Sequence, residues 1–456
     1  MTGTPSRPSA LDRTLQLALK PFGDVRAGEA TSALLLTLNV FLLLTAYYLL
    51  KVAREPLILL GGGAEVKSYA SVGQSILLVF VTSGYGWLAS RLGRMALITW
   101  VTLIFVANLV IFWALGESGV PLGVPFFLWV GIFNLTAIAQ FWSFAADIYP
   151  DEQGKRLFPL IGIGSSVGAV AGAWIADALF WLGPFRLMLL SAALLLATLG
   201  LTFLTHRRER ERAVQRGAPV ADAVLGGASG FSLVLRDRYL LFFAALLFVL
   251  NWVTKTGDYV FDRKILQAAQ DLGHSTHEQA TLFIGQYKAR YFQWTNVLGV
   301  VLQLFAVSRV VKYLGLRAAL LMIPLASLGG YISALLFPAL TVLFVARATE
   351  SSLDYSLSNT ARQALWLVTP REAKYKAKQV IDTFVVRAGD AASAGLVWFG
   401  AQQKFELSTF LAVNVALSAL WLVVAVLLGN AYAKRTGAPE HAAALLEGAH
   451  GARHAS

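Results

Sequence analysis

Apolar positions in this chain come in long unbroken blocks, without the strict alternation of a half-buried strand or the three-and-four spacing of a surface helix. Blocks of spanning length begin near Thr31, Ser68, Met95, Leu122, Leu157 and Pro184, and again near Tyr239, Phe292, Leu316, Ala339, Val380 and Leu407. A helix needs roughly 20 apolar residues to cross the hydrocarbon core of a bilayer. The pattern therefore predicts an all-α integral membrane protein with 12 transmembrane helices in two sets of six. Between the sets, His206 to Arg238 opens with His206-Arg207-Arg208-Glu209-Arg210-Glu211-Arg212 and continues through glycine and proline, the composition of a linker. The expected layout is a cytoplasmic segment at 1–30, a six-helix bundle at 31–205, a cytoplasmic linker at 206–238, a second bundle at 239–433 and a disordered cytoplasmic tail at 434–456.

Composition agrees with the blocks. Of 456 residues, 57% are hydrophobic and 14% charged, with mean hydropathy +0.62, whereas soluble domains are about a quarter charged. Residues 1–30 lack the apolar core and small-residue cleavage site of a secretory signal, so the first block is expected to stay in the membrane. The net charge of +12 follows the positive-inside rule. With both termini on one face, the loops of that face carry 25 Lys and Arg and those of the other face 10, leaving Arg347, Arg362 and Arg387 inside helices. Both termini are thus expected in the cytoplasm, in a bacterial inner membrane. No basic patch interleaves with aromatic residues outside the blocks, which argues against nucleic acid as a partner.

Enzyme chemistry finds no foothold. The chain has no cysteine, and its six histidines, His206, His274, His277, His441, His450 and His454, all fall in loops or the tail. His274-Ser275-Thr276-His277-Glu278 lacks the order of a zinc-protease motif. The expectation is no enzyme, no metal and no cofactor. Gly164, Gly168 and Gly172 recur every four residues, the spacing of close helix packing and not of a phosphate loop, since no strand precedes them.

The halves read as repeats. Ser90-Arg91-Leu92-Gly93-Arg94 returns as Ser308-Arg309 through Leu314-Gly315-Leu316-Arg317, with glycines 222 residues apart. Tyr149-Pro150-Asp151-Glu152 with Lys155-Arg156 returns as Thr369-Pro370-Arg371-Glu372 with Lys374 and Lys376, offset by 220. Lys51 and Lys255 match at an offset of 204, which predicts about 16 extra residues in the outer segment after helix 7, supplied by Asp262 to Gly285. Parallel six-helix repeats resemble the major facilitator superfamily. The loop Gly86-Trp87-Leu88-Ala89-Ser90-Arg91-Leu92-Gly93-Arg94 is similar to that superfamily's loop between helices 2 and 3, with Ser90 where an Asp is usual.

Ionisable groups at membrane depth are expensive and are functional candidates by default. Helix 1 ends with Lys51, Arg54 and Glu55, helix 4 carries Asn134, Gln140 and Asp147, helix 7 has Lys255 and Asp258, and helix 10 has Arg347, Glu350 and Asp354 on one face. The resemblance places helices 1, 4, 7 and 10 around a central cavity. Lys51, Arg54, Lys255, Arg347, Asn134 and Gln140 are accordingly the candidate substrate-binding residues, and Glu55, Asp258, Glu350 and Asp354 the candidate coupling or ion-pairing carboxylates. Arg91, Arg94, Lys155, Arg156, Asp382 and Arg387 are candidate gate residues. The alternative is structural: Lys51 and Arg54 snorkel to the interface, and Arg347 with Glu350 only locks helix packing.

Phe141-Trp142-Ser143-Phe144-Ala145-Ala146-Asp147, followed by Lys155-Arg156-Leu157-Phe158-Pro159-Leu160-Ile161-Gly162, resembles the helix 4 to helix 5 region of the bacterial and plastid ATP/ADP translocases. Tyr355-Ser356-Leu357 with Lys376, Lys378, Ile381-Asp382 and Arg387-Ala388-Gly389 resembles their helix 10 to helix 11 region. The resemblance implies nucleotide transport of the ATP/ADP exchange kind, by a monomer in the lipid bilayer whose partner is a small anion. The sequence departs from the family's pattern at Arg54-Glu55, at Val130 in place of an acidic residue, and at Asp390 in place of a Lys. The expected function is secondary-active transport of a nucleotide or another phosphorylated or organic anion by alternating access. The alternative is a membrane scaffold or assembly factor that keeps the fold without transport.

Overall fold

A computed structural model describes residue 26 and residues 29–149, 151–213, 234–369, 377–378 and 380–436. The segment before residue 26, the middle of the expected linker, Pro150, the basic loop at 370–376 and the tail after 436 lie outside the described residues, as does the side chain of Lys155.

Every regular element among the described residues is helical. In chain order they are α1 (Ala30–Ala89), α2 (Arg94–Glu117), α3 (Gly123–Ile148), α4 (Asp151–Leu179), α5 (Pro184–Ala213), α6 (Arg238–Asp271), α7 (His277–Val301), α8 (Gly315–Leu336), α9 (Leu340–Leu353), α10 (Asn359–Leu367), α11 (Val386–Gln402) and α12 (Leu407–Thr436). Eight helical stretches are long and apolar enough to cross a membrane by length and composition, which makes the chain a multi-pass membrane protein. Three spans read from the sequence fall short of that measure. α7 is rich in polar residues, α9 stops after 14 residues where π-helical turns at Asp354–Ser358 join it to α10, and α11 has only 17 residues behind the π-helical Ile381–Val385.

Two apolar blocks merge in α1, which runs 60 residues and is broken only at Gly63, where φ is 78° and ψ 178°. Only a residue without a Cβ takes this conformation readily, so the glycine sets the kink. At 1.5 Å per residue, 33 residues before the kink extend about 50 Å, longer than a bilayer core.

The described chain divides into two compact units, the first of Met1–Gly62, Gly73–Ala223 and Leu272–Asn296, the second of Gly63–Val72, Val224–Asp271 and Val297–Ser456. In the first unit, α4 lies against α1 along the glycine stripe. A Cβ on Gly164, Gly168 or Gly172 would stand 2.5, 2.4 or 2.7 Å from the carbonyl oxygens of Thr37, Phe41 and Thr45, so the fourfold spacing is helix packing as expected. The Asn39 side-chain amide donates to the Thr198 carbonyl (3.0 Å) and the Thr202 hydroxyl (2.8 Å), tying α1 to α5 without leaving a buried polar group unsatisfied.

In the second unit, α6 and α8 both pack on α12, and α6 also on α11. Asn414 of α12 donates to the Val253 carbonyl (3.2 Å), and Gly389 of α11 lets that helix approach the Phe248 carbonyl and Asn251 of α6.

The extra residues at Asp262 to Gly285 are largely helical: α6 continues to Asp271, α7 begins at His277, and only 272–276 is non-helical. Fifteen helical residues of α7 precede the apolar block starting at Phe292, and among them Lys288 and Arg290 pair with carboxylates.

Candidate functional site

Among the described residues, each unit holds a cluster of charged side chains. In the first, the middle of α1 carries Lys51, Arg54 and Glu55. Glu55 is 1% exposed and faces two cations, with Arg54 Nε at 3.3 Å and Lys288 Nζ of α7 at 3.5 Å. Lys51, one helical turn before Glu55, lies in a cage of rings, its Nζ 4.9 Å from the Tyr48 centroid and 4.2 Å from that of Phe292. The Arg54 guanidinium sits 4.7 Å from the Phe127 centroid. Rings favour a desolvated cation through their quadrupole, each such contact contributing about 1 kcal/mol or more. The burial of Lys51 sets aside snorkelling to water, since its side chain is enclosed by protein.

α7 supplies more of this group than the sequence suggested. Tyr48 donates to the Asn296 side-chain oxygen (2.9 Å), Asn296 to the Ala169 carbonyl (3.3 Å) and Gln293 to the Ala173 carbonyl (3.2 Å), while Arg290 pairs with Asp177 at 3.5 Å. Lys288 was missed because it precedes its apolar block. The available signal was its distance from Lys67, 221 residues, which falls between the two repeat offsets.

In the second unit, Arg347 of α9 is 1% exposed and paired to Asp258 (2.5 Å) and Glu350 (2.7 Å). It also donates to the Tyr331 hydroxyl (3.1 Å), which donates to Glu350 (2.9 Å), and Thr254 donates to the same carboxylate (3.0 Å). Lys255 stands 4.0 Å from Asp258, with both side chains about a third exposed. This group balances two cations with two carboxylates. The expected face of Arg347, Glu350 and Asp354 divides at the π-helical turns, where Asp354 instead pairs with Arg362 at 3.3 Å.

Gln140 and Asn134 of α3 do not join the Lys51 group. Gln140 lines a separate cavity of about 40 Å³ inside the first unit, with Asn39, Thr102, Thr198 and Thr202, and its Nε2 has no hydrogen-bond partner among the described residues. A space of that size holds a few waters, about 10–15 Å³ each by this measure. Asn134 is half-buried.

Most of the expected gate residues contact their own unit. Arg94 pairs with Asp147 (2.8 Å), Arg156 with Glu29 (3.0 Å), and Arg387 with the buried Asp390 (3.0 Å); Arg91 lies 4.3 Å from the Trp87 centroid. Asp382 is exposed. Among the described residues no group of His, Asp and Glu could hold a metal ion.

No protein-family model and no curated protein sequence matches the chain. Solved structures do. The nucleoside transporter NupG superposes over 89% of this chain and 99% of its own, with TM-score 0.61 and 13% identity. A bacterial homologue of the human lysosomal transporter Spinster, inward-facing and unoccupied, covers 90% of this chain and 99% of its own at TM-score 0.58 and 14% identity. The D-xylose-proton symporter covers 88% and 96% at TM-score 0.56 and 15% identity. The fold is therefore of the major facilitator kind.

Proposed function

We propose that this chain is a secondary-active transporter of a small anion, a nucleotide or another phosphorylated or organic anion, working by alternating access with both termini cytoplasmic. The carrying observation is the Lys51, Arg54 and Lys288 group, in which one buried carboxylate, Glu55, faces two cations inside an apolar bundle. Positive charge concentrated at membrane depth is costly and attracts an anionic ligand. The solved structures of like fold are named as transporters of a nucleoside and a sugar, which supports transport as the activity. ATP/ADP exchange is the narrower reading, resting on the resemblance at Phe141 to Asp147 and at Ile381 to Gly389.

The reading takes twelve crossings. The kinked α1 counts as two, and α7, the α9–α10 pair and α11 join the remaining spans. Lys51 and Arg54 of the first unit bind the anion. Arg347 is enclosed by two carboxylates and a tyrosine, so its role is to orient α6 and α9 beneath Lys255 and Asp258.

Thermal stabilisation of the purified protein tests this directly. A ligand at 100 times its Kd adds about 2.7 kcal/mol, so ATP, ADP or another anion of a panel should raise the melting temperature of the wild type and not of Lys51→Gln. Silence from every anion, with the protein folded, would favour the scaffold.

A further inference from the structure

The cavity of the first unit lies apart from the cationic group, and four helices enclose it. Asn39 of α1, Thr102 of α2, Gln140 of α3 and Thr198 and Thr202 of α5 are its polar lining, and the other lining residues are apolar. Cavities that stay dry are apolar throughout, whereas a polar one with room for a molecule takes up water. The polar groups here fall into two complementary sets. On α1 and α5 the donors are already spent. The Asn39 amide donates to the Thr198 carbonyl and the Thr202 hydroxyl, the Thr202 hydroxyl to the Thr198 carbonyl (2.9 Å), and the Thr198 hydroxyl to the Leu195 carbonyl (2.7 Å). What these side chains have left is acceptor lone pairs, on the Asn39 amide oxygen and the two hydroxyls. On α3 the position is reversed. Gln140 is 8% exposed, and its Nε2 is a donor with no hydrogen-bond partner among the described residues. A buried donor left so carries its full desolvation cost.

A ligand that satisfies both sets must accept from Gln140 and donate to Asn39 and the threonines. A metal cation cannot accept, a fully ionised anion cannot donate, and neither meets an opposite charge on the lining residues. Water does both. At about 40 Å³, with roughly 10–15 Å³ for each molecule, the cavity holds about three waters and is far too small for a nucleotide or a sugar. We propose that it is a resident water site, in which a small cluster accepts from Gln140 Nε2 and donates to Asn39, Thr198 and Thr202. The direct bonds of Asn39 join α1 to α5, and the cluster joins α3 to that pair. The site is separate from the proposed anion group, so it holds its water whatever the cargo.

Radiolytic hydroxyl-radical footprinting of the purified protein tests this, because radicals made from a held water modify the side chains beside it. Phe141 and Phe144 line the cavity and are buried; Phe126 and Phe180 are as buried in the same unit and do not line it. With water resident in the cavity, Phe141 or Phe144 should be modified on the order of tenfold faster than the two controls. After rapid mixing into water of heavy oxygen, the isotope should appear at that ring later than at the exposed Tyr313. In Gln140→Met, which keeps the length of the side chain and removes the donor, the rate should fall to that of the controls. A wild-type rate no faster than the controls would overturn the site. Isotope arriving as fast as at Tyr313 would mean a cavity open to bulk water and overturn it too, and an undiminished rate in Gln140→Met would overturn Gln140 as the anchor. The wild-type comparison needs no variant, so it decides even where Gln140→Met fails to fold. It also needs no cargo, so the water site can fail while anion stabilisation stands, and the reverse.

Discussion

Arg347 and Lys51 were equivalent candidates by residue type and membrane depth, and their surroundings separate them. Arg347 is surrounded by Asp258, Glu350 and the Tyr331 hydroxyl, and removing its charge takes the nearest cation from two carboxylates. Arg347→Gln should therefore cost about 3–5 kcal/mol, read as a fall in melting temperature in detergent. Lys51→Gln takes the charge from among the Tyr48 and Phe292 rings and should melt closer to the wild type than Arg347→Gln while losing anion stabilisation. A larger loss at Lys51 than at Arg347 would reverse the two roles. The pairing of Arg347 with Glu350 at i, i+3 that the sequence offered is present. The sequence could not reveal the Tyr331 hydroxyl or the ring cage, because these partners come from distant helices and no periodicity encodes them.

Helices were legible wherever apolar residues run without interruption. The blocks at Met95, Leu122, Pro184, Leu316 and Leu407 coincide with α2, α3, α5, α8 and α12 to within a residue or so. Legibility failed at α7, whose first fifteen residues are rich in polar side chains, among which Arg290 and Lys288 find partners on α4 and α1. It failed again at the π-helical turns, which change no apolar count. The glycine stripe gives the sharpest test at this scale. Gly168→Leu should separate α4 from α1, since even a Cβ would meet the Phe41 carbonyl at 2.4 Å, whereas Gly162→Ala meets nothing within 4 Å and should be silent. Detergent melting curves of the two variants distinguish them; equal stability would remove the close-packing assignment. Gly63→Ala should cost about 1–3 kcal/mol through its backbone conformation alone.

Across the whole chain, the membrane class, the helical fold and the excess of cationic loops could all be read from composition and block length. The facilitator likeness, argued from two repeated basic loops, agrees with the superposed transporters over about nine-tenths of the chain. Cargo is harder, because it depends on a few side chains and not on the pattern that makes a bundle. The proposed anion rests on the charge distribution, with Arg54 and Lys288 around Glu55 in the first unit and a balanced group about Arg347 in the second. The most direct measurement is counterflow in proteoliposomes preloaded with unlabelled ATP, inorganic phosphate or an organic acid and supplied outside with the labelled form. Saturable accumulation of one of these anions by the wild type, lost in Lys51→Gln and Arg54→Gln with folding intact, is the expected result. Equal accumulation by the wild type and both variants, or none by any of them, would contradict transport through this cationic group.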